Sequence, residues 1–333
     1  MRFLQTNIFN NIMIKIIIQI PCFNEEYQLA KTINNIREAI TSKEYQDINS
    51  ELIWEILIIN DGSTDNTVKV AKSLKIDHII SHKFNKGLAS AFRTGIQKSL
   101  ELDADIIVNT DADNQYNAFD IIKILKPILN GEADFVIGER PIMNHKEFRL
   151  SKKIFQVVGS WFVRFLSNTE VRDAPSGFRA LTRNTASKLN IYDNYTYTIE
   201  SIMQSAYLGL KVLSVPIRVN ESTRSSRLIP NNFSYIKKSL LTIFKTLILY
   251  KAEKFTLFPS IFLFSLSGTL YARWLYLWLN NSSRSHVPSI VIASVFSIIG
   301  VQLLLFSYIC FLNRINRKQS EEILEFLKTK KKK

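Results

Sequence analysis

Apolar residues in the first 230 positions come in short, β-branched runs separated by longer segments of helical period. Ile14–Ile20 (IKIIIQI) ends at Pro21, and Leu52–Ile59 (LIWEILII) ends at Asn60-Asp61-Gly62. Asp105–Val108 and Ala133–Ile137 read as two further strands, and His78–Ser81 as a weaker one. Helical patterns fill about 27–41, 65–75, 87–101 and 117–129 between them. Strands alternating with helices predict an α/β domain with a mostly parallel sheet over 14–230.

The pattern changes after residue 230. Residues 231–254 read as an amphipathic interfacial helix, with Phe233, Ile236, Leu240, Phe244, Leu247 and Ile248 at helical spacing and lysines on other faces. The same stretch also suits an ordinary helix packed on its own domain. Phe255 to Leu279 then holds one charge, Arg273, and Val287 to Leu312 holds none. About 20 apolar residues suffice to cross the hydrocarbon core, so 255–312 predicts a two-helix transmembrane hairpin. Arg273, flanked by Trp274, Tyr276 and Trp278, sits where an arginine can snorkel beside an aromatic belt. Gly268 and Gly300 offer small-residue surfaces through which the spans could pair with a second copy.

Charge follows that division. Residues 1–230 carry 28 Lys/Arg against 25 Asp/Glu, a net of +3, whereas 231–333 carry 15 against 4, a net of +11. Basicity gathered beside apolar spans speaks for membrane lipids as partners and against a nucleic-acid partner, which would want a basic face on the folded domain. The loop between the spans has one basic residue, Arg284, and the tail 313–333 has eight. Positive-inside asymmetry therefore places the 14–230 domain and both termini in the cytoplasm. Residues 1–13 read as an N-terminal extension too polar for a signal-peptide core. The two cysteines, Cys22 and Cys310, lie in segments of different character, which fits a reducing compartment without a disulfide.

Ligands of open parallel sheets bind beyond the carboxyl ends of the strands. Three such ends are rich in polar groups: Pro21-Cys22-Phe23-Asn24-Glu25-Glu26, Asn60-Asp61-Gly62-Ser63-Thr64-Asp65 and Asp111-Ala112-Asp113-Asn114-Gln115. The second is also an ordinary turn in which Ser63 or Thr64 would cap a helix. Neither a dinucleotide-binding Gly-x-Gly-x-x-Gly nor a P-loop is present. Asp111 and Asp113, two apart at a strand end, can face one hard cation, Mg2+ or Mn2+, with Gln115 adding an oxygen and substrate phosphates filling other positions.

In order and spacing, IPCFNEE (20–26), NDGSTD (60–65), NKGLASAFRTG (85–95), DADNQ (111–115), GER (138–140), SGFRAL (176–181) and RSSRL (224–228) resemble the family 2 glycosyltransferases of GT-A fold, within them the polyprenyl-phosphate, dolichyl-phosphate mannose synthase-like enzymes. The resemblance covers residues 14–230. It implies a Rossmann-like GT-A domain and a nucleotide pocket lined by Pro21, Asn24, Glu26, Asp61 and Lys86, with Asp111, Asp113 and Gln115 holding the metal on the donor diphosphate. It further implies Arg140 and Arg149 as phosphate-contacting residues and Asp173 as a base or positioning group. Tyr197, Glu200, Arg224 and Arg227 would stand on the acceptor side. Tyr116 departs from the Pro that many members carry after the metal motif, and the late motif reads Ser-Ser-Arg instead of Gly-x-Ser-Lys. The Gln-x-x-Arg-Trp signature of processive synthases is missing. The expected reaction moves a sugar, with inversion, from a UDP- or GDP-sugar to undecaprenyl or dolichyl phosphate at the cytoplasmic face. A phosphate nucleophile is already ionised, so Asp173 is expected to position a group and not to abstract a proton. A different lipid or lipid-linked saccharide acceptor, or an inactive nucleotide-sugar-binding scaffold, are the alternatives.

Overall fold

A computed structural model describes residues 13–42, 52–144, 150–192, 196–220, 232–280 and 287–330. Among the described residues seven strands form one sheet: β1 (Ile14–Cys22), β2 (Leu52–Asn60), β3 (His78–Ser81), β4 (Ile106–Asn109), β5 (Phe135–Glu139), β6 (Arg179–Thr182) and β7 (Val212–Pro216), in the order β3-β2-β1-β4-β6-β5-β7. The runs predicted from the sequence supply β1 to β5. Strand β1 continues past the expected stop at Ile20, because Pro21 and Cys22 still pair with Ile59 and Asn60 of β2.

Strands β2, β1 and β4 run parallel, and Ile16, Ile17, Ile18 and Ile20 of β1 are all fully buried. An uninterrupted β-branched run is what a parallel strand covered on both faces requires. Helix α1 (Leu29–Thr41) covers one face with Leu29, Ile33, Ile36 and Ala39. Helix α2 (Thr67–Ser73) follows β2, and α3 (Leu88–Glu101) follows β3. Past β4 a 3-10 turn (Ala118–Asp120) leads into α4 (Ile121–Leu129). Ser63 and Thr64 do not cap a helix. Helix α2 opens at Thr67, whose N–H donates to Asp65 Oδ1 at 2.9 Å, and Thr64 N–H donates to Asn24 Oδ1.

Among the remaining strands β6 alone breaks the parallel rule. Helix α5 (Leu150–Ser167) follows β5, and β6 then inserts antiparallel between β4 and β5, with Asn109 opposite Arg179 and Ile137 opposite Arg179 on the other side. The start of β6 therefore lies at the edge where β4 and β5 end. Helices α6 (Arg183–Lys188) and α7 (Thr198–Tyr207) and strand β7 complete the domain.

A second unit contains most of two long helices, α8 (Asn232–Leu279) and α9 (Val287–Lys330). Their segments Phe255–Leu279 and Val287–Phe326 are long and apolar enough to cross a membrane. Helix α8 runs unbroken through the 254/255 boundary drawn from the sequence. Ser260 donates to the Gly300 carbonyl and Ser267 to the Ala293 carbonyl, both at 2.8 Å. A Cβ on Gly300 would stand 3.3 Å from the Phe264 ring, so this glycine serves packing within the hairpin.

Candidate active site

The carboxyl edge of the sheet gathers two polar clusters. The first joins the loops after β1, β2 and β3. Asn24, in a left-handed conformation (φ 57°), accepts the Thr64 N–H at 2.8 Å and donates its own N–H to Ser63 Oγ at 3.0 Å. Glu26 Oε2 accepts from Asn66 N and Nδ2, each at 3.0 Å. Asp61, 3% exposed, accepts the N–H groups of Lys86 (2.9 Å) and Gly87 (2.8 Å), and its Oδ1 lies 2.7 Å from His82 Nδ1. Gly62 closes the same corner. At φ +70° a Cβ there would stand 2.4 Å from the Phe84 carbonyl carbon, so only glycine lets β2 end against this loop. Pro21 is buried within β1, and the exposed Lys86 holds its Nζ 5.6 Å over the Phe84 ring.

The second cluster sits where β4, β5 and β6 meet. Asp111 and Asp113 are half-buried, and Asp113 Oδ1 accepts the Gln115 N–H at 3.0 Å. Burial first, and the Asp113 charge second, push the Asp111 carboxyl up to about 7. Arg140 and a hydrogen bond from Tyr116 act in the opposite direction. Arg140, the residue after β5, grips Asp173 through Nε (2.7 Å), Nη2 (3.0 Å) and its backbone N–H (3.2 Å). The pair is 8% and 0% exposed. Arg140 Nη1 lies 3.5 Å from Gln115 Oε1, which links the clamp to the carboxylate doublet.

Gly177 is the centre of the second cluster. Its N–H donates to Tyr116 Oη (2.9 Å), and its carbonyl accepts from Asn109 Nδ2 (2.7 Å), which also donates to Tyr197 Oη (3.0 Å). A Cβ here would stand 3.0 Å from both Asp111 oxygens and 3.1 Å from Tyr197 Oη. Gly177→Ala is therefore expected to displace the Asp111 carboxylate by a few tenths of an ångström. It should weaken Mn2+ binding by about tenfold, the fold-change of roughly 1.4 kcal/mol, as read by titration calorimetry on the full-length protein. Behind the glycine, the fully buried Arg179 donates to the carbonyls of Ala174, Ser176 and Thr198 and to Ser201 Oγ. Burial brings this guanidinium down to about 10, which leaves it cationic at pH 7. Arg179 is structural: it ties the 174–176 turn to the start of α7.

The two carboxylates and Gln115 fit a divalent ion. Asp111 and Asp113 repel each other through space, and a cation between them would relieve that repulsion. Among the described residues no group of three His, Cys, Asp or Glu converges.

Of the residues singled out in the sequence, Asp111, Asp113, Gln115, Arg140, Asp173 and Tyr197 come together here. Pro21, Asn24, Glu26, Asp61 and Lys86 belong to the first cluster, and both Glu200 oxygens accept the Tyr192 N–H. Arg149, Arg224 and Arg227 lie outside the described residues. Sequence reasoning missed Asn109 and His82. Each stands at or just past the carboxyl end of a strand, and reading every strand end, β3 included, would have found both.

Residues 17–189 match the family model described as glycosyl transferase family 2. The chain is 32% identical over 221 residues to a UDP-N-acetylglucosamine–dolichyl-phosphate N-acetylglucosaminyltransferase of Methanococcus voltae, covering 60% of this chain and 83% of the relative. It is 24% identical over 208 residues to an undecaprenyl-phosphate mannosyltransferase of Micrococcus luteus, covering 60% and 80%. A crystal structure of glucosyl-3-phosphoglycerate synthase from Mycobacterium tuberculosis with Mn2+ and UDP-glucose superposes with a TM-score of 0.52 at 18% identity, over 70% of this chain and 78% of that one. The domain has the GT-A fold, and the chain belongs to glycosyl transferase family 2.

Proposed function

We propose that this family 2 glycosyltransferase moves a sugar from a nucleotide sugar to a polyprenyl phosphate, with inversion at the anomeric carbon. The observation that carries the chemistry is the junction of the Asp111/Asp113 doublet with the Arg140–Asp173 clamp at one edge of the sheet. The acceptor class is supported by the names of the relatives, which are transferases to dolichyl and undecaprenyl phosphate.

The reaction brings two phosphate-bearing molecules together, so its demands are orientation and neutralisation of charge. Asp111 and Asp113, with Gln115 beside them, would hold Mg2+ or Mn2+ on the donor diphosphate, and that ion would supply Lewis-acid stabilisation of the leaving group. Arg140 faces the same space with a guanidinium fixed in orientation by Asp173. Both Asp173 oxygens are occupied by Arg140, so Asp173 positions the cation and does not take a proton. Arg224 and Arg227, with Tyr197 and Glu200, are proposed to form the acceptor side, and Arg149 to contact phosphate as Arg140 does. Pro21, Asn24, Glu26, Asp61 and Lys86 shape the nucleotide side. Arg227→Ala is expected to raise the apparent KM for the lipid acceptor more than that for the donor, as read by initial rates with each substrate varied in turn. The domain and both termini are proposed to face the cytoplasm, with the short loop between α8 and α9 across the membrane.

The test is incubation of membranes containing the protein with a panel of radiolabelled UDP- and GDP-sugars, Mn2+ or Mg2+, and added undecaprenyl or dolichyl phosphate. A solvent-extractable glycolipid is expected from one donor. No lipid product from any donor, with the protein folded and metal in excess, would overturn the assignment.

A further inference from the structure

The loop that carries the carboxylate doublet has an uncommon backbone. Asn114, between Asp113 and Gln115, is left-handed at φ 58° and buried. Asn adopts this region more readily than most residues, yet such a conformation persists only where the surroundings over-determine it. The kink gives the loop two sides. On one, the Asp111 carboxylate reaches Gly177 and Gln115 Oε1 reaches Arg140. On the other, the backbone carbonyls of Ala112, Asn114, Gln115 and Tyr116 meet donors from distant parts of the chain.

Two elements supply those donors. Helix α1 brings Thr32, whose Oγ1 lies 2.9 Å from the Ala112 carbonyl, and Asn35, whose Nδ2 donates to Asn114 Oδ1 at 2.9 Å. The segment after β7 brings Asn220. Its N–H donates to the Gln115 carbonyl at 2.8 Å, and its Nδ2 donates to the carbonyls of Asn114 (2.9 Å) and Tyr116 (3.2 Å). One residue therefore satisfies three consecutive carbonyls, and both protons of its side-chain amide are engaged. Neighbours brace it. Val219 bridges to Tyr116, the Asn117 N–H donates to the Arg218 carbonyl at 3.3 Å, and Arg218 Nη2 donates to the buried Asp120 at 2.7 Å. Residues 218–220 thus form a splint along 114–120. Within it, Asn220 is the residue that donates to the carbonyls around the ligand positions 113 and 115.

We propose that Asn220 is a positioning residue for the metal site: its amide and N–H hold the kink at Asn114 and so fix the directions in which Asp113 and Gln115 face the ion. The inference rests on the reading of Asp111 and Asp113 as ligands of a divalent cation, and it adds a residue that lies in none of the strand-end motifs. It also carries a consequence for metal choice. Mg2+ demands near-ideal octahedral geometry, whereas Ca2+ accepts irregular coordination at longer distances. A loop released from Asn220 should therefore lose Mg2+ more than Ca2+.

The test titrates the full-length protein with Mn2+ alone by calorimetry, and with Mg2+ and Ca2+ by their competition against Mn2+. Asn220→Asp keeps the shape of the side chain and sets an oxygen where Nδ2 faced two carbonyls. Asn220→Ala removes the same two bonds and keeps the N–H to Gln115, and it carries the reading should the Asp variant fail to fold. Mn2+ affinity is expected to fall about tenfold in Asn220→Asp, the lower end for groups that orient metal ligands, and by less in Asn220→Ala. In both, Mg2+ should lose more than Ca2+. Arg218→Ala is the control: it cuts the splint at Asp120 and should lower the melting temperature, while Mn2+ affinity and the Mg2+/Ca2+ ratio stay at the parent values. Parent-like Mn2+ affinity in the Asn220 variants overturns the proposal. A loss shared equally by Mg2+ and Ca2+, or matched by Arg218→Ala, overturns it too and makes the segment a staple of the fold. A parent that binds no divalent ion overturns the metal reading and this inference with it, whereas a parent that binds Mn2+ beside variants that bind it equally overturns this inference alone. Neither sugar donor nor lipid acceptor enters the measurement, so its failure is distinguishable from failure of the transferase assignment.

Discussion

Asp113→Ala is expected to lose at least about 100-fold in sugar transfer, the scale of several kcal/mol of charge stabilisation by a divalent ion, while melting near the parent temperature. Structurally the side chain is weakly committed. It is half-buried, and its hydrogen bond to the Gln115 N–H closes a local turn whose loss costs about 1 kcal/mol. Chemically it is half of the carboxylate doublet. The same reasoning gives a pH dependence. The Asp111 carboxyl, raised to about 7 by burial and by Asp113, is partly protonated below that pH, and a cation binds only the carboxylate. Mn2+ affinity should therefore fall as pH drops from 8 to 6, and binding should release protons to the buffer. Removing Asp113 lifts one cause of the upward shift, so whatever weak Mn2+ binding the variant retains should keep its affinity to lower pH. Calorimetry in two buffers of different ionisation enthalpy reads the proton release. Full transfer activity in Asp113→Ala would end the assignment of the ion to this pair.

The part of this site that was legible in the sequence and the part that was not differ for physical reasons. Strands β1 to β5 announced themselves because buried parallel strands are continuous β-branched runs, stopped by Asn60-Asp61-Gly62 or Asn109-Thr110. Strand β6 is four residues long and begins with an arginine that is wholly buried, a combination no hydropathy pattern suggests. Arg179 is tolerated there because a ring of carbonyls accepts its donors. Helix α7 hides its period by burying Thr198, Glu200, Ser201, Gln204 and Ser205, and α5 leaves Ile154, Val158, Trp161 and Phe165 exposed. Residue types at the strand ends pointed to the polar clusters found there, since carboxylates at the carboxyl edge of a parallel sheet face the ligand crevice. Partner choice was not legible. Nothing local says that Asp61 will take the N–H groups of residues 86 and 87, or that Asp173 will lock Arg140 from 33 residues away.

Breaking that lock gives the largest expected effect on stability. In Asp173→Ala the guanidinium of Arg140 stays buried without its counterion, a situation that costs about 3–5 kcal/mol out of a folding stability of about 5–15 kcal/mol. The variant should melt well below the parent and lose transfer. Loss of activity alone would not separate a collapsed site from a missing charge. The double variant Arg140→Met/Asp173→Leu separates them, because it removes both charges together and fills the space with apolar groups. A buried ion pair replaced in this way is often neutral or stabilising, so the double variant should regain most of the stability that the single variant loses. If Arg140 supplies positive charge where the phosphates meet, the refolded double variant stays inactive. Recovery of transfer along with stability would make the pair a structural staple, and the neutralising charge would then have to come from the other arginines of the acceptor side. Chemical denaturation and initial rates on the parent and the two variants decide between these outcomes, with the non-additivity of the two substitutions measuring the strength of the pair.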